Sequence, residues 1–290
     1  MTGSAARRTG VVVVVAVVAA AVGAAAAVGA ERPGQPVAWV VPSTQRVALA
    51  TPAGSRTAVW LDAARGETES FQVAVQARGG RLTGVSVAVS PLRSAAGAEI
   101  GSIALAREHY VRVTRHSPGV SGVPLRWGWF PDALVPFVDP VTGRGPRPGA
   151  RYPAAPFPVA AGHNQPVWVD VTVPRDAAPG VYTGTWTVTS GQGRRTGRVS
   201  LRVRDFALPV APASGSRFGV WQVADRRASV EQLLLRYRVQ PAPVAAAREG
   251  ALRRRGLTSV DLGLWSGADV DHCAVAAPPA LDTVRAAVAG

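Results

Sequence analysis

The 290-residue sequence has no lysine: all 32 of its basic residues are arginine. It also has one cysteine, one methionine, four histidines and only 6% aromatic residues. Each shortage excludes something. A single cysteine, Cys273, rules out an internal disulfide and any thiolate metal site, so stability has to come from packing. His109, His116 and His163 show no metal-ligand spacing, and neither a metal nor a cofactor is expected. There is no phosphate-binding glycine loop, no Gly-x-Ser-x-Gly elbow and no zinc-protease motif. The missing lysines also change what the charge means. A formal net charge of +14 would ordinarily suggest a polyanionic partner. Here Ala, Gly, Arg, Val and Pro dominate throughout and the arginines are scattered, as when a coding bias replaces Lys by Arg. A generally basic surface is expected, without a nucleic-acid partner.

Hydrophobic residues make up 47% and charged residues 17%, enough for a sizeable core in one large domain or two smaller ones. Residues 1–30 read as an export signal: Arg7 and Arg8 precede an apolar run over 11–27, and Val28-Gly29-Ala30 offers small residues before Glu31. The run is close to membrane-spanning length, so an uncleaved anchor is the alternative and that segment is the one expected route to a membrane. Either way the remainder is expected outside the cytoplasm, secreted or at the cell surface.

From residue 37 onward, period-two alternation of β-branched and aromatic residues marks half-buried strands. The segments are 37–41, 57–61, 67–76, 84–90, 109–114, 167–173, 181–190 and 197–205. In 167–173 the valines share one face, with Trp168, Asp170 and Thr172 on the other. In 181–190, Tyr182, Gly184, Trp186 and Val188 share a face. Pro174 to Gly180 between these two is turn chemistry, which predicts an antiparallel pair. The fold class expected over 37–207 is an antiparallel, mainly β, two-sheet sandwich. It is interrupted by a Pro-, Gly- and aromatic-rich loop over 115–162.

A linker over 208–216 follows, and then the period changes. Short strands at 218–223 and 257–265 alternate with helices at 229–237, with Ser229 as N-cap, at 244–255 and at 279–288. Strands alternating with helices predict a parallel βα arrangement over 217–290. A (β/α)8 barrel needs about 250 residues, so this segment would be the truncated opening of one.

Four phrases carry a resemblance. They are Arg65-Gly66-Glu67-Thr68-Glu69-Ser70-Phe71-Gln72-Val73, then Phe130-Pro131-Asp132-Ala133-Leu134-Val135-Pro136, then Asn164-Gln165-Pro166-Val167-Trp168-Val169-Asp170-Val171 with Pro179-Gly180-Val181-Tyr182-Thr183-Gly184, and Asp205-Phe206-Ala207-Leu208-Pro209. Together they resemble the N-terminal β-sandwich of glycoside hydrolase family 123-like proteins, which carry the domain of unknown function 4091. The resemblance covers about 37–215. Residues 217–265, with Leu234-Leu235-Arg236-Tyr237-Arg238-Val239 and Pro241, look like the opening of that family's barrel.

The resemblance implies an exported protein acting on glycans, with a catalytic barrel that uses an adjacent Asp-Glu pair and the substrate's acetamido group. This chain contains no Asp-Glu dipeptide, so no catalytic residue carries over. The function expected is therefore the non-catalytic N-terminal part of an N-acetylhexosaminidase-like protein with most of its barrel missing. A standalone extracytoplasmic carbohydrate-binding or structural module is the alternative, and a glycan is the partner in both.

Candidate contacts to a glycan, or to a neighbouring domain, are Trp127, Trp129 and Phe130, because aromatic faces stack on sugar rings, together with Asp132. Asp132 follows Pro131 and also suits a turn. Glu67 and Glu69 share a strand face, but a solvated or Arg65-paired face is expected over acid–base work. Asp269, Asp271, His272 and Cys273 form a polar cluster without partners that would make it a site.

Overall fold

The computed structural model describes residues 34–115, 127–140, 142–145, 149–211, 216–219, 226–260, 264, 268–269, 274–275 and 277–289. Residues 1–30, His116, Asp271, His272 and Cys273 lie outside the described residues. Among the described residues, no helix is long and apolar enough to cross a membrane.

The strands, in chain order, are β1 (Pro36–Pro42), β2 (Ala58–Arg65), β3 (Thr68–Ala77), β4 (Leu82–Val89), β5 (Leu92–Ser94), β6 (Glu99–Ile100), β7 (Ile103–Val113), β8 (Gly128–Pro136), β9 (Phe157–Val159), β10 (Asn164–Thr172), β11 (Gly180–Ser190) and β12 (Gly193–Ala207). They build two sheets. The first runs β1-β3-β10-β7-β8, and the second β2-β12-β11-β4-β9, with β5 also on β11 and β6 on β5. The pairings are antiparallel except that of β2 with β12, which is parallel.

Alternation explains the core. Phe71, Val73 and Val75 from β3 and Val167, Val169 and Val171 from β10 meet Tyr182, Trp186 and Val188 from β11 and Val199 and Leu201 from β12. Each such side chain removed from water contributes about 1.5–3 kcal/mol. Trp186 is fully buried and donates its indole N–H to Thr57 O at 3.1 Å, so its one polar atom is satisfied.

The antiparallel pair expected between 167–173 and 181–190 does not form. β10 lies between β3 and β7, with Val167 opposite Val73 and Arg107. β11 lies in the other sheet, with Tyr182 opposite Leu201. The inward faces are as expected, but a strand that folds back in its own sheet and one that crosses to the facing sheet show the same alternation. The turn decides between them. Pro174 and Pro179 cannot donate to a ladder, and Tyr182 Oη donates to Ala178 O at 2.8 Å, tying the corner in the way the tyrosine corner of immunoglobulin-like sandwiches does.

The stretch over 115–162 is also more than a loop, since β8 and β9 lie in it. Their prolines, Pro131, Pro136 and Pro158, hide the strand signal. β8 tolerates its two because it is an edge strand, paired with β7 alone. The arginines, scattered along the chain, are gathered by β12: its alternation puts Arg198, Arg202 and Arg204 on the outside, and Arg202 and Arg204 both donate to Asp62. Those guanidiniums hold the Asp62 carboxyl below its ordinary range.

The outward face of the first sheet is partly covered by the β1–β2 connection, residues 43–57. Val47 packs with Val37, Trp39, Val41 and Ala74 in a second, small core. Side-chain amides satisfy the connection's carbonyls. Gln72 Nε2 donates to Pro42 O at 2.9 Å and Gln45 O at 2.7 Å, and Asn164 Nδ2 to Ala48 O at 2.9 Å and Thr51 O at 2.8 Å. Tyr110 Oη adds a bond to Val47 O at 2.8 Å.

After the sandwich come β13 (Arg217–Gly219), α1 (Arg227–Arg236), β14 (Gln240–Ala242) and α2 (Ala246–Arg253). β13 and β14 pair in parallel, so β13-α1-β14 is a βαβ unit. The second parallel strand is thus Gln240–Ala242 rather than 257–265. Of that expected strand, 257–260 is not strand, and 261–263 and 265 lie outside the described residues. Gln-Pro-Ala is too short and too proline-rich to show alternation. Ser229 lies inside α1 and Arg226 occupies the N-cap without a side-chain bond. A two-residue hairpin, β15 (Ala268–Asp269) with β16 (Ala274–Val275), and α3 (Leu281–Ala289) follow.

Candidate functional site

A cleft crosses the outward face of the first sheet, running across its strands. Its floor follows from register. Gln72 on β3 lies opposite Trp168 on β10, Trp168 opposite Ala106 on β7, and Glu108 on β7 opposite Leu134 on β8. These residues point outward because their neighbours Val73, Val167 and Val169 are claimed by the core. The start of the β1–β2 connection, with Arg46, forms one wall. Helix α1 forms the other. Two cavities of about 330 Å³ and 360 Å³ share Trp168 and Leu134. The first is polar, with Gln72, Glu108, Asp132 and Arg46. The second is apolar, with Pro136, Val138 and Leu233, apart from Asp170 and Tyr237.

Two carboxyl groups in this cleft are treated in opposite ways. Asp170 is 8% exposed and accepts three hydrogen bonds. Ser70 Oγ at 2.6 Å and Trp168 Nε1 at 2.7 Å donate to Oδ1, and Tyr237 Oη at 3.2 Å donates to Oδ2. Burial and the Asp170 charge hold the Tyr237 hydroxyl above its ordinary range. Glu108 is 6% exposed, and its Oε1 has no hydrogen-bond partner. Burial pushes its carboxyl up to about 7. Gln72, 2% exposed, uses its amide N–H groups on Pro42 and Gln45, while its Oε1 is likewise unpartnered.

Of the residues proposed from sequence, Asp132 lines the polar cavity. Phe130 sits 5.6 Å beneath the guanidinium of Arg46, which lines the same cavity. Trp127 and Trp129, 63% and 49% exposed, are not among the residues lining it, and neither ring is packed into the core. Glu67 and Glu69 do not form a working pair. Glu67 Oε2 accepts from Ala64 N at 2.7 Å within the β2–β3 turn, while Arg65 pairs with Asp205 at 3.6 Å instead. Glu69 lines a separate cavity of about 430 Å³ between β1 and β2, where burial, then Glu67 and Asp62, raise its carboxyl.

Sequence reasoning missed Gln72, Glu108, Trp168, Asp170 and Tyr237 as site residues. For Gln72, Trp168 and Asp170 a signal existed: large polar groups at the outward positions of strands whose inward positions are Val or Phe. Glu108 gave none, because the strand carrying it was read as starting at 109 whereas β7 begins at Ile103. Among the described residues there is no group of three or more His, Cys, Asp or Glu placed to hold a metal.

Residues 48–190, which supply the floor of the cleft, match the model of the glycoside hydrolase 123 N-terminal domain. The chain is a glycoside hydrolase family 123-like protein. Solved structures similar to this family 123-like chain include a family 123 glycoside hydrolase from Clostridium perfringens, described for glycolipid glycan hydrolysis. It is 15% identical, with a TM-score of 0.49 over 63% of this chain and 30% of that one. Others are PapD-like domain 7 of human CEP192, at 13% identity and TM-score 0.26 over 62% and 92%, and the CooA pilin subunit of enterotoxigenic Escherichia coli, at 11% and 0.27 over 59% and 99%. The family 123-like chain spans 30% of the length of the hydrolase it matches. No curated protein matches it in sequence.

Proposed function

We propose that this chain is the exported, non-catalytic N-terminal part of a glycan-acting, N-acetylhexosaminidase-like protein, whose sandwich holds the opening units of a βα barrel against its first sheet. The observation that carries this reading is the seating of α1. The matched domain directs one buried carboxylate, Asp170, at Tyr237, and Arg238, just past the end of the same helix, donates to Gly66 O at 2.7 Å. Two further features support the reading. The chain holds no Asp-Glu dipeptide, and residues 1–30 have the composition of an export signal.

The test is turnover of a chromogenic N-acetylhexosaminide by the purified chain. No turnover is expected, and measurable turnover overturns the non-catalytic assignment. Amino-terminal sequencing of the exported protein is expected to begin at Glu31.

The alternative, a carbohydrate-binding module, draws support from the exposed rings of Trp127 and Trp129. On that reading, replacing both by Ala weakens retention on a polysaccharide matrix. Unchanged retention by a folded double variant removes it.

A further inference from the structure

The outward face of the second sheet is charged in one sense. Alternation along β12 puts Arg194, Thr196, Arg198, Ser200, Arg202 and Arg204 on it. β11 adds Thr189, Thr187, Thr185 and Thr183, opposite Arg194, Thr196, Arg198 and Ser200 in turn. β2 adds Trp60, opposite Ser200 and 58% exposed. The βα segment docks on the other sheet, and the four arginines are exposed. The second sheet holds three carboxylates, Asp62, Glu99 and Asp205, and each is already claimed. Arg202 and Arg204 both donate to Asp62, Arg93 pairs with Glu99, and Arg65 pairs with Asp205 at 3.6 Å. Arg198 and Arg194 are left over. Arg198 lies between Ala58 on β2 and Thr185 on β11, and Arg194 reaches only the Thr187 hydroxyl, at 3.4 Å. A coding bias accounts for Arg in place of Lys, but not for the missing carboxylates that would balance these two.

We infer that this face binds an acidic glycan, a chain bearing uronate carboxylates, which lies along β12 with its carboxylates on Arg198 and Arg194, its hydroxyls on the threonines and a sugar ring on Trp60. This rests on the glycan-acting reading above and adds a place and a substrate class to it. Asp62 is a resident example of the recognition, a carboxylate taken by two guanidiniums of the same face. The planar guanidinium fork matches a carboxylate in geometry as well as charge. The spacing favours a glycan over a nucleic acid. Arg194 and Arg198 are four residues apart on one strand, about 13 Å, which suits charges set apart by neutral sugars. Duplex DNA carries a charge about every 1.7 Å of its axis and would leave most of them unmatched. A bilayer surface is met by burying a broad apolar face, and the large apolar side chains exposed here are Trp60 and Val181 alone among the described residues.

The test uses the full chain with polygalacturonate, neutral dextran, duplex DNA and phosphatidylserine vesicles as separate probes, at about 0.15 M salt, where charges more than about 8 Å apart are screened. Polygalacturonate is expected to bind saturably and dextran not to bind. Arg198→Ser combined with Trp60→Ala is expected to weaken polygalacturonate binding at least ~10-fold, the loss of about one charged hydrogen bond. Arg144→Ser removes the same charge from an exposed position outside this face and is expected to stay within ~3-fold. Thermal melting reports whether the variants fold, and Arg198→Ser alone, at an exposed strand position, carries the comparison with Arg144→Ser if the double variant does not. Equal weakening by Arg198→Ser and Arg144→Ser assigns the binding to net charge and overturns the inference. DNA or vesicles held more tightly than polygalacturonate overturn it too, as does no binding of polygalacturonate by the wild type. The non-catalytic reading survives each of these results, because turnover alone tests it.

Discussion

Glu108 is the residue whose burial most plainly works against the fold. Its carboxyl has no partner on Oε1, and burial raises it to about 7 from an ordinary value of 4.5. Arg46 from the β1–β2 connection and Asp132 from β8 line the same cavity, and Tyr110, two residues on in its own strand, feels the Glu108 charge. A raised acid binds its proton more tightly folded than unfolded, so the folded state holds more protons between the two values and loses stability as pH rises through that window. Stability is expected to fall from near pH 4.5 to somewhat above 7 and then level off, by at most about 3.5 kcal/mol at about 1.4 kcal/mol per pH unit. Glu108→Gln should flatten this slope; urea midpoints at pH 5 and 8 measure it, and a slope that survives the substitution assigns it to another group. Gly197 is the opposite case, a residue fixed by space. A Cβ there would meet Thr57 O at 2.0 Å and Trp186 Cε2 at 2.4 Å. Gly197→Ala is expected to cost about 1–3 kcal/mol, because neither backbone nor a fully buried indole can yield freely, again read from the urea midpoint.

At the scale of elements, two junctions decide the architecture. The β10–β11 crossing sends the chain from one sheet to the other, and the docking of α1 attaches the βα segment. Both show what alternation can and cannot reveal. It gave the faces of β10 and β11 correctly, since Val167, Val169, Tyr182 and Trp186 are all inward. It could not give their partners, because the choice between hairpin and crossing lies in the Tyr182–Ala178 bond, which has no periodic trace. It missed β8 and β14 because proline interrupts both. The docking of α1 was invisible for another reason. Tyr237 and Asp170 are 67 residues apart, and the helix ends in an unusual way. Arg238 adopts φ 61°, with Arg238 N bonded to Leu235 O and Val239 N to Leu234 O. This is a Schellman end with arginine where glycine is usual, kept where its guanidinium reaches Gly66 O. A double-mutant cycle with Tyr237→Phe and Asp170→Asn should give a coupling energy of about 0.5–1.5 kcal/mol, and a coupling near zero would mean that α1 does not hold to the sandwich through this bond.

For the molecule as a whole, the two regions differ in how much they bury. The sandwich closes Phe71, Val73, Trp186, Leu201 and their neighbours between two sheets. The βα region has a core of Leu235, Leu252 and Leu257, with Val244 and Val260 only partly covered. Beside that core lies Glu231, fully buried and facing Arg248 at 2.7 Å and Arg227 at 3.5 Å. A buried ion pair of this kind offsets little more than its own desolvation. So small a core cannot cover the ordering entropy of α1, β14 and α2, at about 1–2 kcal/mol per residue for the backbone alone. The segment therefore depends on what it leans against: the outward face of the first sheet through Tyr237, the β2–β3 turn through Arg238 and the stretch after β8 through Arg236. That dependence sets an order of opening. In native-state hydrogen exchange, amides of β3, β10, β11 and β12 should exchange only through global unfolding, while those of α1 and α2 should open at several kcal/mol less. Tyr237→Phe should speed exchange in α1 and α2 and leave the sandwich strands unchanged. If α1 instead exchanged in step with β10, with or without Tyr237, the two regions would form one cooperative unit and the sandwich would not be the support for its neighbour.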